Sequence, residues 1–279
     1  TSVSVIIPTR DHPELLRDCV ESLRAATLRP VYELVLVDNG TVDPRALEYI
    51  EHLRRDDDVV LIRDPGPFNF SRLLNRGVSA ATGDVIVSLN NDVIIQQVDW
   101  LEQMVANAIR DGVGAVGVRL LRADGRVQHA GVLLGIDGVA GHSFPGREAT
   151  DPGYFGQAVL QREVEAVTAA AMAVRRSLYL EVGGFDETNL PVAFNDVDFC
   201  LRLRERGLRN IYVPSVELTH LESRSRGSDS GSEASERVRR EIAYMRSRWG
   251  EDGEDLVDRI KHPLFLPHKG DALLPRVSS

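Results

Sequence analysis

The feature that most constrains this chain is an alternation of short β-rich runs with amphipathic helical stretches through its first third. Residues 3–7 (VSVII) form an apolar run stopped by Pro8, and residues 34–37, 59–62 and 85–89 repeat the pattern. Between the first two runs, Leu15, Leu16, Cys19, Val20 and Leu23 recur at helical spacing. Asp11 and Glu14 read as a capping box at the start of that helix. Asp43-Pro44 opens a second helix reaching to about residue 55, and a third runs from about residue 71 to residue 81, with Gly83 ending it. Strands joined through helices run parallel and are covered on both faces. The predicted fold class is therefore α/β, with a largely parallel sheet through this first part and a mixed central sheet over the whole chain.

After Asp92 the rhythm changes. A helix from Trp100 to about residue 110, strands at 114–118, 164–174 and 211–213, and a helix at 194–206 surround a Gly-rich stretch of short β pieces at 124–156. Residues 224–236 (RSRGSDSGSEASE) have the composition of a mobile loop. Val238, Ile242, Met245 and Trp249 then recur as one face of a closing helix.

Composition narrows the function. With 33 Lys+Arg against 42 Asp+Glu the net charge is −9, the wrong sign for a domain that binds a polyphosphate backbone, so no nucleic-acid partner is expected. Lysine occurs only at 261 and 269, which GC-rich codon usage explains. Cys19 and Cys200 lie far apart in apolar helical patterns and read as buried thiols of a reducing compartment. No apolar run is long enough to span a bilayer or to serve as a signal segment, which makes a cytoplasmic location the expectation. The abrupt start at Thr1, just before a strand, is that of a domain cut from a longer protein.

Ligands of open α/β sheets bind at the carboxyl edge of the strands. Three strand ends are polar there: Pro8-Thr9-Arg10, Asp38-Asn39-Gly40 and Asn90-Asn91-Asp92. Each alone reads as a turn or an N-cap; three on one edge indicate a site. Asp92, delivered by an apolar strand, is placed to hold a hard divalent cation, with Asp196, Asp198 and His220 as candidate second ligands. The GxGxxG spacing of residues 112–117 follows a helix and enters a strand, the reverse of a dinucleotide fingerprint. Gln128-His129-Ala130-Gly131 reads either as structural or as lining an acceptor or donor-sugar pocket.

These residues resemble the family 2 glycosyltransferases of GT-A fold, in particular bacterial enzymes of O-antigen and related surface-glycan assembly. The matching stretches are VSVIIPTRD, LVLVDNG, PFNFSRLLNRGVSAATGDVIVSLNNDV, GGFDETNLPVAFNDVDFCLRLRERG and ELTHLESRSRG, spanning Val3 to Gly227 in the family's order. The resemblance implies one GT-A domain over residues 1–279: about 1–120 as nucleotide-binding half, about 121–227 as acceptor and catalytic half, and 228–279 as loop, helix and tail. It implies a nucleotide-sugar donor, UDP-linked as first choice and dTDP-linked as second, a divalent metal (Mn²⁺ or Mg²⁺), and inverting transfer to a hydroxyl of a growing glycan. Where that acceptor is lipid-linked, peripheral contact with the inner face of the membrane follows.

Residue by residue, the resemblance implies that Thr9 and Asp38 contact base and ribose, with Arg10 and Asn69 flanking them. Asn91 and Asp92 match the last two positions of the metal-binding acidic triplet, Asp92 as ligand. His220 matches a further metal ligand and Asp196 the general base. Arg224 and Arg226 would close over the pyrophosphate. Asn90 and Asn91 stand where the triplet commonly has acids, and Asn195 where a Glu often precedes the base; the triplet asparagines imply either a weaker metal affinity or more coordination by the donor phosphates. Two other readings use the same residues: a glycan-binding module that keeps the fold without catalysis, and a metal-dependent nucleotide-sugar hydrolase.

Overall fold

The computed structural model describes residues 1–27, 29–135, 139–221 and 232–250, together with a hairpin of strands Phe265–His268 and Asp271–Pro275. The first part alternates as its sequence pattern requires: β1 (Val3–Thr9), α1 (Pro13–Ala26), β2 (Tyr32–Asp38), α2 (Pro44–Leu53), β3 (Val59–Arg63), α3 (Phe70–Ala80) and β4 (Val85–Leu89). The mixed part adds β5 (Val93–Ile94), α4 (Trp100–Ala108), β6 (Val113–Leu121), β7 (Val127–His129), β8 (Val132–Leu134), β9 (Ala140–His142), β10 (Arg162–Val164), β11 (Ala171–Arg175), α5 (Arg176–Glu181), α6 (Asn195–Glu205), β12 (Arg209–His220) and α7 (Ser232–Trp249).

The main sheet runs β10-β12-β6-β11-β4-β1-β2-β3. The strands β3, β2, β1 and β4 are mutually parallel, while β11 is antiparallel to both its neighbours, β4 and β6. Its strands carry apolar side chains towards both faces. Val3, Val5 and Ile7 pack with Leu16, Cys19 and Val20 of α1, while Ile6 joins Leu73, Leu74 and Val78 of α3 on the other side. Burial of each such side chain contributes about 1.5–3 kcal/mol, so this double coverage holds the strand ends in a fixed plane. No described helix is long and apolar enough to cross a membrane.

Four local expectations change. The start of α1 is not capped by Asp11: His12 is its N-cap residue in left-handed conformation, and no side chain caps the helix. Asp11 Oδ1 instead accepts from Val42 N and Asp43 N, both at 2.8 Å, stapling the turn after β1 to the loop after β2. The single strand expected over 164–174 is two strands, because residues 165–170 leave the main sheet, and Thr168, Ala169 and Ala170 line a cavity described below. The strand expected to stop before Pro214 continues to His220; the proline, which cannot donate to a ladder, sits at a register shift between Val213 and Glu217. Residues 224–231 of the expected loop lie outside the described residues, and from Ser232 the chain is already helical. Elsewhere the expectations hold: Asp43 caps α2 through Arg45 N and Ala46 N, Trp100 anchors α4 by donating to Thr27 Oγ1 at 2.8 Å, and both cysteines are buried thiols.

Gly77 marks the closest approach of α3 to the sheet. A Cβ there would lie 2.3 Å from Ile6 Cγ2. Alanine favours a helix interior over glycine by about 1 kcal/mol, yet the overpacking penalty of about 1–3 kcal/mol opposes it. Gly77→Ala is therefore expected to lower the urea midpoint; a raised midpoint would show that α3 and β1 separate at little cost.

Candidate active site

Two adjoining cavities open at the carboxyl edge of the parallel strands. The first, of about 500 Å³, is lined by Thr9 and Arg10 after β1, Asn39 after β2, Asn91 after β4, Phe68 before α3, and Arg237 on α7. The second, of about 320 Å³, is lined by Asp92, Gln128, His142, Thr168, Asp196 and His220. Asn90, Phe70 and Val192 line both, so the two form one continuous cleft.

The second cavity is assembled from distant segments. Because β12 runs past Pro214, its last residues pair with β5, Thr219 opposite Ile94 and His220 opposite Val93. This puts His220 Nε2 3.0 Å from Asp92 Oδ1. His220 Nδ1 lies 2.8 Å from Gln128 Oε1, which can only accept, so the ring proton belongs on Nδ1. The Nε2 lone pair then faces a carboxylate oxygen, an arrangement that a cation bound between them would relieve. Asn90 Oδ1 is buried nearby without a hydrogen-bond partner, and Asn90 Nδ2 is 3.4 Å from His220 Nε2. Two oxygens and one imidazole nitrogen form a mixed donor set of the kind a first-row divalent cation such as Mn²⁺ accepts. Among the described residues no group of three His, Cys, Asp or Glu converges; Asp92 and His220 form a pair, with the Asn90 amide carbonyl beside it.

Asp196 is at the N-terminus of α6. Its Oδ2 accepts from Ala169 N at 3.0 Å and its Oδ1 from Val197 N at 2.9 Å, which fixes the carboxylate while each oxygen keeps a lone pair. The backbone entering α6 is strained: Phe194 sits at φ 58°, a left-handed conformation costing about 1–2 kcal/mol for a side-chain residue. The strain is held by α7, whose buried Glu241 accepts from Val192 N at 2.8 Å and Ala193 N at 3.0 Å. Asp198 is not a metal ligand. It is fully buried between Arg202, Arg248 and Trp249 Nε1, which binds α7 to α6.

Of the other sequence-predicted residues, the first cavity gathers Thr9, Arg10 and Asn91, with Asn91 Nδ2 donating to Thr9 Oγ1 at 3.2 Å. Asp38 and Asn69 are not among its lining residues. Asp38 is fully buried; it accepts from Thr41 N at 2.8 Å and lies 2.9 Å from Arg63 Nε. Asn69 caps α3 by accepting from Arg72 N and donates to Glu187 O. Their sequence signals were local ones: an Asx turn closing on Thr41, and asparagine just ahead of a helix. Arg224 and Arg226 lie outside the described residues. Gln128, one of the residues read either as structural or as pocket-lining, lines the cleft, and Asn39, Phe68, His142, Thr168 and Arg237 join it without having been singled out by role.

Two buried groups stay neutral beside the site. Cys19 donates its thiol to Asn90 O at 3.5 Å, and burial, reinforced by the charge of Asp92, pushes its pKa far above the ordinary range, so it is no ligand. His129 is fully buried, and its pKa is held well below the usual imidazole value by desolvation first, then by His142, Arg162 and His220.

Comparison with known proteins shows the family and the fold. Residues 4–183 match the sequence profile of "Glycosyl transferase family 2". The chain is 43% identical over 276 residues to the uncharacterized protein y4gI of Sinorhizobium fredii, covering 98% of this chain and 30% of that protein. It is 39% identical over 235 residues to the O-antigen biosynthesis protein RfbC of Myxococcus xanthus, covering 83% and 18%. It therefore spans less than a third of the length of these relatives. An N-acetylglucosaminyl-diphospho-decaprenol L-rhamnosyltransferase of Mycobacterium tuberculosis is 29% identical over 232 residues, covering 76% and 73%. In structure the chain is similar to a mannosyltransferase of Pyrobaculum calidifontis solved with GDP-Man and Mn²⁺, at TM-score 0.63 and 19% identity, covering 91% and 65%. The fold is GT-A.

The neutrality of His129 sets a pH dependence. Below its unfolded pKa of about 6.5 the unfolded chain binds a proton there that the native state refuses, so stability falls as pH falls, by up to about 1.4 kcal/mol per pH unit. Wild-type stability from urea titrations is expected to drop between pH 6.5 and pH 5.5, and His129→Leu to flatten that slope. An equal slope in the variant would assign the loss to other groups.

Proposed function

The chain belongs to glycosyl transferase family 2, and from that premise we propose that it transfers a sugar, with inversion, from a nucleotide-diphosphate donor to a hydroxyl of a growing bacterial surface glycan. The observation that carries this reading is that Asp196 and the Asp92–His220 pair open into one cavity, continuous with a second cavity of nucleotide size lined by Thr9, Arg10, Asn39 and Asn91.

In this reading the larger cavity takes the nucleoside diphosphate, and Arg10 and Arg237 face its negative charge. Asp92, His220 and the Asn90 carbonyl would hold a divalent cation, Mn²⁺ or Mg²⁺, which when bound neutralises charge on the diphosphate. Asp196 takes the proton of the acceptor hydroxyl as that oxygen bonds to the anomeric carbon and the bond from that carbon to the diphosphate oxygen breaks. The nucleoside diphosphate departs opposite the attacking oxygen, so one carboxylate suffices and no covalent nucleophile is needed. The backbone N–H groups of Ala169 and Val197 keep Asp196 in place for that transfer.

A UDP-linked donor is the first candidate and a dTDP-linked donor the second. The names of RfbC and of the decaprenol-linked rhamnosyltransferase support a surface-glycan acceptor carried on a lipid diphosphate; this reading has the chain meet such an acceptor at the inner face of the membrane. Residues 1–279 would act as one GT-A unit within a longer protein, with the donor held by about the first 120 residues.

Asp196→Asn is expected to lower kcat for transfer by about 10²–10⁴-fold while donor affinity stays within about twofold, because it removes a proton acceptor and little ground-state contact. Transfer at the wild-type rate would take Asp196 out of the mechanism. Asp92→Ala is expected to weaken Mn²⁺-dependent binding of the nucleoside diphosphate by about tenfold or more, measured by calorimetry; unchanged binding would place the metal elsewhere.

A further inference from the structure

Gln128 and His129 are adjacent on β7, and each ends on a histidine that lines the catalytic cavity. Gln128 meets His220, and His129 Nδ1 lies 2.8 Å from His142 Nδ1 with the two rings at 88°. The first contact serves the metal site described above. The second has no part in that chemistry, yet it fixes an exposed imidazole in the same cavity as Asp196 and Asp92.

We propose that His142 is a sugar-contacting residue, donating its Nε2–H to a sugar hydroxyl in the catalytic cavity, and that buried His129 is the residue that positions it. This rests on the transferase reading above and names a further substrate contact for that site.

The argument is one of hydrogen accounting. At 2.8 Å one of the two Nδ1 atoms donates and the other accepts. His129 is fully buried and its Nε2 has no hydrogen-bond partner. If His129 carried its proton on Nε2, a buried N–H donor would be orphaned, an arrangement that folded proteins rarely tolerate. With the proton on Nδ1 only a lone pair is left unpaired. His129 therefore donates, His142 accepts at Nδ1, and the proton of neutral His142 is on Nε2. Desolvation keeps His129 from taking a second proton.

The backbone of His142 is as firmly placed as its ring. It pairs with Val132 across the β8–β9 hairpin, and Ser143 N donates to Gly131 O at 2.8 Å. A ring needed only for packing would not require a buried partner of defined tautomer while itself standing exposed among polar groups. Sugar hydroxyls are the ligand groups that an oriented neutral N–H suits, since they accept without charge. The hydroxyl can belong to the transferred sugar or to the acceptor, and kinetics separate these.

The test uses the full chain with Mn²⁺ and UDP-glucose, UDP-N-acetylglucosamine, dTDP-rhamnose and GDP-mannose as donors. For the donor accepted by wild type, His142→Ala is expected to lower kcat/KM for transfer by about tenfold, leave calorimetric affinity for the matching nucleoside diphosphate unchanged, and regain part of the loss in His142→Gln. A parallel fall in acceptor-free donor hydrolysis assigns the contact to the transferred sugar; a rise confined to acceptor KM assigns it to the acceptor. His129→Leu should reproduce part of the loss, and the double variant should be no worse than His142→Ala. Nitrogen-15 spectra of the histidine side chains should show His129 protonated at Nδ1 and His142 at Nε2. Wild-type kcat/KM in His142→Ala, or His129 protonated at Nε2, overturns this proposal and leaves the transferase reading intact. Wild-type protein that binds no nucleotide removes the transferase reading and this proposal with it.

Discussion

The site depends on one long reach of chain. β12 continues through the register shift at Pro214 until His220 pairs opposite Val93, and only then does an imidazole nitrogen stand 3.0 Å from Asp92. Gln128 decides which nitrogen faces the carboxylate, and the buried carbonyl of Asn90 stands next to both. The parallel half supplies Asp92 and the mixed half Asp196 and His220, so neither half holds all three of these cavity residues.

The second dependency is the docking of α7. Glu241 takes two backbone N–H groups from the segment before α6, and Asp198 is locked by Arg202, Arg248 and Trp249. Breaking a buried ion pair by removing one partner costs about 3–5 kcal/mol, so this joint is stiff. It holds the left-handed Phe194 and, through it, the position of Asp196. A backbone outlier kept in place by surrounding contacts is the usual mark of a functional site, and here it sits on the wall of the catalytic cavity. Arg237 projects from the same helix into the larger cavity, which links the helix to the charged end of the nucleotide pocket.

Much of this was legible in the residues. Apolar runs that break into Thr9, Asn91 and Asp92 at one sheet edge marked the cleft, because a buried strand has no packing reason to end in polar side chains. What was not legible depended on contacts remote in sequence or on a choice between equivalent local roles. Asp38 and Asn69 satisfy nearby backbone groups, and a turn or cap residue has the same letter as a ligand. The strand read over 211–213 in fact continues past Pro214, since a proline within a ladder is tolerated at an irregularity, and that irregularity is set by the partner strand. Residues 165–170 looked like strand because their apolar side chains are buried, though they pack away from the sheet ladder. His142 gave no signal at all, since its meaning comes from His129 across a hairpin.

The most direct measurement is calorimetric titration of UDP, dTDP and GDP into the wild-type chain, each with and without Mn²⁺. Binding of one of these nucleotides that requires the metal is the predicted result, with UDP the first candidate. Absence of binding for all three under both conditions would contradict donor recognition at this cleft.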